Sequence, residues 1–221
     1  MKIFLFFFGP PASGKGTQIE LLTAKTDFKV LSVGKLLRKK ESDHTKEGQA
    51  LRKLLDSGKL VPNKIVEVIL DDQLYIIKDK ARIVFDGYPR NEKQLKLLDK
   101  RFKKIAKAGD KILAIFIDLS VAEVKRRLGG RRCCTCGEIY HVEFNPPKKD
   151  SLCDQCGKKL FIREDDNYSV IIERLKIYHK EFHPILNYWK DKDQLIKIDG
   201  DQSIKKVHQD IVKSLKNNSV L

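Results

Sequence analysis

The stretch KIFLFFFGPPASGKGT, Lys2–Thr17, decides the fold. Six apolar residues, Ile3–Phe8, stop at Gly9. A run this short, closed by Gly-Pro, reads as a fully buried strand rather than a helix. Behind it stands a loop of Gly9, Pro10, Pro11, Ala12, Ser13, Gly14, Lys15, Gly16 and Thr17. Gly9, four residues, then Gly14-Lys15 is the spacing of a phosphate-binding loop. Glycines let successive backbone N–H groups point at one anion. Lys15 supplies charge, and the helix that begins there adds its dipole. Gly16 stands where Ser or Thr often follows the lysine, so Thr17 is the nearest hydroxyl for a phosphate or a hydrated Mg²⁺.

Outward from the loop, similar apolar runs recur at 28–34, 82–87, 111–119 and 194–200. Helical patterns separate them at 15–25, 36–57 with a break, 63–78, 92–107, 121–128, 167–190 and 203–216. Near-continuous apolar strands alternating with helices predict an α/β fold, a five-stranded parallel sheet covered on both faces. Two segments depart from the alternation and read as insertions: 32–62, with two short helical patterns, and 129–166, with Cys, Gly, Pro and aromatics but no helical period. Asp86, at the end of the 82–87 run, stands where a phosphate-loop protein holds Mg²⁺ directly or through water; the alternative is a turn or cap aspartate.

The 221 residues suit one domain with insertions, and such a chain buries roughly 70% of its unfolded surface. No apolar run approaches the ~18 residues of a membrane-spanning helix. Ile3–Phe8 is also shorter than the apolar region of about 7–15 residues in a signal peptide, which predicts a cytoplasmic protein. Net charge is +15, a value compatible with nucleic acid, an anionic membrane or a polyanionic small substrate. The 34 Lys are scattered along the helical patterns, as on a solvated face, while most of the 11 Arg fall in a few short motifs. Clustered guanidinium groups bind phosphate or carboxylate bidentately.

Five cysteines, 133, 134, 136, 153 and 156, lie within 24 residues. Their odd number argues against a disulfide framework. Cys133-x₂-Cys136 and Cys153-x₂-Cys156, 16 residues apart, have the spacing of a closed structural Cys₄ zinc site. Glycine follows each pair, at 137 and 157. Cys134 competes with Cys133 for the first position, and the CxxC spacing favours Cys133. A redox pair or a bystander thiol cluster are the other readings.

Four segments in order, GPPASGKGT (9–17), LSVGKLLR (31–38), DGYPRNEKQ (86–94) and RLGGRR (127–132) with REDD (163–166), resemble adenylate kinases, in particular their long-lid, zinc-bearing form. The resemblance implies a phosphate-loop kinase core (1–31, 67–128 and 167–221), a helical domain for the acceptor nucleotide AMP (32–66) and a zinc-ribbon-like lid (129–166). It implies reversible transfer from Mg·ATP to AMP, giving two ADP, by a monomer with no nucleic-acid or membrane partner. Lys15, Arg90, Arg131, Arg163 and Arg174 would be the catalytic cations, with Arg131, Arg163 and Arg174 clamping the transferring group. Arg38 and Arg90 would hold the acceptor phosphate, Gln94 the acceptor base, and the chain around Val33, Lys59, Val61 and Gly87 would face AMP. Gly9, Pro10, Ala12, Ser13, Gly14, Lys15, Gly16, Thr17, Arg127, Arg131, Tyr140, Phe144 and Gln202 would contact ATP, with Phe144 against the adenine. For each aromatic, packing is the alternative; for His141, a local hydrogen bond. Asp165 and Asp166 would orient the arginines, set a hinge or cap the next helix.

The segment between the arginine pair and the cysteines is one residue shorter than in zinc-bearing relatives. Ala12 occupies a usual glycine position, which predicts a negative φ there. Val33 replaces a usual Thr, and Lys35 and Asn63 replace usual Asp residues. Competing readings are a kinase for another nucleoside monophosphate and a zinc-ribbon protein that hydrolyses ATP on nucleic acid.

Overall fold

The structure, a computed structural model, describes residues 1–41, 45–77 and 80–221. Residues 42–44 of the 36–57 pattern and residue 78 of the 63–78 pattern lie outside the described residues.

The first apolar run is strand β1, Ile3–Phe8, and all six of its residues are buried. It lies at the centre of a five-stranded parallel sheet with β2 (Lys29–Ser32), β3 (Arg82–Asp86), β4 (Lys111–Asp118) and a last strand, Leu195–Asp199, in the order β2, β3, β1, β4, last. Side chains alternate across a strand, so β1 feeds two cores. Phe4, Phe6 and Phe8 enter one with Phe85, Phe102 and Trp189; Ile3, Leu5 and Phe7 enter the other with Ile19, Leu22 and Ile211. That two-sided burial is why the run is continuous rather than alternating.

Helix α1 (Lys15–Thr23) covers the second face, together with a C-terminal helix, Ile204–Asn217. On the first face lie α2 (Val33–Glu41), α3 (Lys46–Asp56), α4 (Asn63–Ile77) and α5 (Glu92–Ile105). Three of these helices, α2, α3 and α5, start on short polar side chains, as such caps require. Ser32 Oγ accepts from the N–H of Lys35, Thr45 from Gly48 and Asn91 from Gln94. Helix α6 (Val121–Gly129) is capped by Ser120. It leads into a small hairpin, β5 (Arg131–Cys133) and β6 (Ile139–His141). A 3₁₀ turn, Glu164–Asp166, then opens α7, Tyr168–Asp191, whose far end plugs Phe182, Ile185 and Trp189 into the first core. The last strand and helix are accordingly β7 and α8.

Neighbours of β1 lie on opposite sides of it: the chain leaves β3 and crosses past β1 to reach β4. Ligands of open α/β sheets sit at such a point, outside the carboxyl ends of the strands. The phosphate loop and Asp86 both stand there, because Phe7 pairs with Asp86 in register.

Candidate active site

Gly9 approaches its surroundings too closely for a side chain; a Cβ there would lie 2.5 Å from Ser13 Oγ and 2.6 Å from the Ile117 carbonyl. The loop closes with the N–H of Ser13 donating to Pro10 O. Gly14, in the left-handed conformation, opens α1 without a side-chain cap, which leaves first-turn N–H groups for an anion. Lys15 Nζ donates to Gly9 O (2.8 Å), Pro10 O (2.9 Å) and Ser13 Oγ (3.0 Å). Burial pulls this lysine down to about 8; Asp86 opposes the shift, and Arg90, Arg174 and Arg131 reinforce it. Asp86 is fixed by Ser32 Oγ at 2.7 Å. Thr17 is exposed on α1.

Ala12 departs from expectation. Its φ is +58°, inside the left-handed region, not negative. Its methyl packs against the Leu119, Val124, Leu128, Ile171 and Leu175 cluster between α6 and α7, a contact that holds the residue in a conformation alanine otherwise avoids.

Four of the expected cations converge on two buried carboxylates. Asp165 accepts from Arg38 (2.9 Å), from both Arg163 Nε (2.7 Å) and its terminal nitrogen, and from Arg174 (3.0 Å). Asp166 takes a bidentate pair from Arg131 and has Arg174 at 3.8 Å. Arginines from α2, β5, the residue before the 3₁₀ turn and α7 thus share one anchor. Burial, with repulsion from Arg131 and Arg163, lowers Arg174 to about 10 against the pull of Asp165. Of the three roles open to this aspartate pair, orienting the arginines is the one the contacts carry; the residue at the N-terminus of α7 is Asn167, not an aspartate, and it makes no side-chain cap bond.

Arg90 stays outside this cluster, its Nε donating to Gly87 O at 2.9 Å. Gln94 is buried at the start of α5. Its Oε1 accepts from the Arg90 N–H (2.8 Å) and its Nε2 donates to Asn63 Oδ1 (2.9 Å). The preceding turn, with a cis Tyr88-Pro89 bond, is tied down where Tyr88 donates to Glu67, itself paired with Arg101. Val33 and Val61 are core residues, Lys59 is exposed, and Lys35 pairs with Glu20 on the surface.

Arg127 lies elsewhere, between Glu123 and the Gly200 carbonyl (both 2.8 Å). The guanidinium groups of Arg126 and Arg127 lie 4.6 and 5.6 Å from the centre of the Phe144 ring. His141 Nδ1 accepts from the N–H groups of Glu143 and Phe144, the local role. Gln202 donates to Asp199 O on the neighbouring loop. A cavity of about 530 Å³ beside that loop is lined by Asp118, Asp199 and Asp201 with one lysine, the wrong sign for a polyphosphate.

Of the thiols, Cys134, Cys136, Cys153 and Cys156 gather with all four Sγ atoms within 4.8 Å of one another; Cys133 is not among them. The choice of Cys133 is therefore corrected to Cys134. Cys133 belongs to β5, exchanging backbone bonds with Phe161, and alternation places it on the face of Arg131. There burial raises its thiol to about 11. Cys134, one residue on, turns to the opposite face with Tyr140, Cys153 and Leu160. Two tight turns present the thiols. Gly137 N–H returns to Cys134 O and Gly157 N–H to Cys153 O, with φ of +101° and +69° at the glycines. Sγ–Sγ separations of 3.4 and 3.6 Å suit a tetrahedron whose metal–sulfur bonds are ~2.3 Å. Four thiolates around one soft divalent cation fit this set. Tyr140, expected against ATP, is instead buried here, its hydroxyl accepting from the Asp154 N–H at 2.8 Å.

Ser32, Asn91, Glu123 and Arg126 were not among the expected residues. Ser32 and Asn91 were findable as cap residues before helical patterns; nothing in the sequence marks Glu123 or Arg126.

A family model described as adenylate kinase matches residues 7–194. Similar curated proteins include the adenylate kinases of Methanothrix thermoacetophila, 38% identical over 94% of this chain and 95% of that protein, and of Methanococcoides burtonii, 38% identical over 97% and 98%. The adenylate kinase of Clostridioides difficile is 37% identical over 97% of this chain and 98% of its own length. Similarity of this extent takes in the phosphate loop, the arginine-bearing segments and the thiol turns alike, and the chain is a phosphotransferase that belongs to the adenylate kinase family.

Proposed function

We propose that the protein transfers the terminal phosphoryl group of Mg·ATP to AMP, reversibly, giving two ADP. The observation that carries this reading is the gathering of Arg38, Arg131, Arg163 and Arg174 on Asp165 and Asp166, together with a phosphate loop built on Lys15. An AMP phosphate oxygen is already an anion at neutral pH, so no general base is required. It attacks the terminal phosphorus as the bond to the bridging oxygen of ADP breaks, and the work left to the protein is alignment and neutralisation. Arg131, Arg163 and Arg174 face the transferring group, Arg38 and Arg90 the acceptor phosphate, and Gln94 the acceptor base. Gly9–Thr17 wrap the donor phosphates, while Arg127, Phe144 and Gln202 border the ATP nucleoside. Mg²⁺, held through water by Asp86 with the polyphosphate, would neutralise the β- and γ-oxygens.

The same reading divides the chain into a core (1–31, 67–128, 167–221), an AMP domain (32–66) and a lid (129–166). Closure of that lid over the nucleotides is a motion for which adenylate kinases are a standard illustration. Zinc in the Cys134, Cys136, Cys153, Cys156 site would be structural, with no open position for substrate. The protein acts as a cytoplasmic monomer, without nucleic acid.

The acceptor profile tests it. ATP·Mg²⁺ supplied with AMP, CMP, UMP or GMP should show AMP turning over at least about tenfold better than the pyrimidine monophosphates. Comparable rates with CMP or UMP would overturn the choice of acceptor. ADP formed only without an acceptor, or only with RNA, would overturn the transfer itself.

A further inference from the structure

Three amides stand in series beneath the acceptor side. The backbone N–H of Gln94 donates to Asn91 Oδ1 at 2.9 Å. Asn91 Nδ2 donates to Asn63 Oδ1 at 2.9 Å, and the same oxygen accepts from Gln94 Nε2 at 2.9 Å. Gln94 Oε1 accepts from the backbone N–H of Arg90 at 2.8 Å. Asn91 and Gln94 are 8% and 2% exposed, and Asn63 between them is half-buried.

An amide can present its oxygen or its nitrogen by a half-turn, but a backbone N–H can only donate. The Gln94 N–H fixes Asn91 with oxygen toward the helix and nitrogen toward Asn63. Asn63 must then offer oxygen, which requires nitrogen from Gln94. The Arg90 N–H imposes the same orientation from the other end. Turning any one amide sets two donors, or two acceptors, face to face and leaves a polar group unpaired.

We propose that Asn63 and Asn91 are positioning residues that lock the donor–acceptor polarity of Gln94 and thereby set the choice of acceptor base; this rests on the reading of AMP as acceptor. Among the described residues, Gln94 retains one N–H and one lone pair. That pair matches the adenine edge, an acceptor ring nitrogen beside a donor amino group. Hypoxanthine presents the reverse, a ring N–H beside a carbonyl. Inosine monophosphate is therefore the probe that asks about polarity and little else.

The experiment measures kcat/KM for AMP and for inosine monophosphate at saturating ATP, with KM for ATP and the circular dichroism of each variant. Asn63→Ala should lower the AMP-to-IMP ratio about tenfold, whereas Asn63→Asp, an acceptor at both oxygens, should keep it within about twofold. Asn91→Asp still caps α5 but cannot donate to Asn63, and should lower the ratio as well. A merely structural role would depress both acceptors equally and leave the ratio in place. An unchanged ratio in Asn63→Ala, an equal fall in Asn63→Asp, or a wild type indifferent to the two bases would overturn the proposal. If Asn63→Ala fails to fold, an unchanged ratio in Asn91→Asp overturns it. A wild type that does not phosphorylate AMP would instead overturn the acceptor reading, before any variant is made.

Discussion

The phosphate loop and the segment 129–166, the proposed lid, each present cations, but they are held in different ways. The loop rests on β1, all of whose side chains are buried in two aromatic and aliphatic cores. Residues 129–166 have a buried cluster of four residues, Cys134, Tyr140, Cys153 and Leu160, two of them among the four thiols that could hold a metal ion. A patch of that size cannot offset the conformational entropy of some thirty-eight residues, at roughly 1–2 kcal/mol each. Packing fixes Lys15; in the proposed site, a metal bound by the four thiols would fix the strand that carries Arg131. One protein thus positions one set of charges with two kinds of scaffold.

The comparison is broken most severely at the thiols. Cys134→Ser should abolish stoichiometric metal binding and open the lid to proteolysis while the sheet stays folded, since structural zinc contributes about 10–16 kcal/mol in isolated peptides. Cys133→Ser should keep the metal. Metal content and the pattern of limited digestion decide both, and metal lost from the Cys133 variant alone would reverse the assignment. Lys15→Met attacks the other scaffold: transfer should fall roughly 10³-fold, with thermal unfolding and metal content as in the wild type.

A smaller effect follows from pH. Lys15 titrates near 8 in the fold, against 10.5 for an ordinary lysine. Between those values the unfolded chain binds more protons, so this group's contribution to folded stability rises with pH while its grip on polyphosphate is lost. Accordingly, kcat/KM for ATP should fall about tenfold per pH unit above 8, and Lys15→Arg should shift that limb upward. A flat profile to pH 10 would remove Lys15 from donor binding. Smallest is Ala12→Gly, which relieves the left-handed strain but gives up a methyl contact. A gain of about 1 kcal/mol or less, 2–4 °C in Tm, is expected in calorimetry.

The same contrast explains what could be read from the chain. The sheet was legible because strands buried on both faces leave unbroken apolar runs; the run Ile3–Phe8 is β1. The phosphate loop was legible because its glycine spacing has a direct steric meaning. Cys134 was not, because a spacing rule counts residues while ligation depends on which face of a strand a residue takes, and β5 turns Cys133 away. Ala12 was misjudged because a contact made by distant helices holds its φ. Of Asp165 and Asp166 the sequence offered three roles, and only their four arginine partners, spread from Arg38 to Arg174, distinguish among them.

Helix α7 joins the two scaffolds. Arg174 lies one and a half turns from its start, and Trp189 is fixed in the sheet core fifteen residues on, about 22 Å away at 1.5 Å per residue. It is a rigid tie rod: a nudge at the aspartate anchor becomes torque on the aromatic plug beneath β1, unless the rod yields on the way. Pro184, which cannot return a hydrogen bond to the Lys180 carbonyl, is the one built-in soft point along it. Its place near the sheet end leaves the span that carries Arg174 stiff and puts the compliance on an exposed face of the helix, backed by the buried Phe182, Ile185 and Trp189.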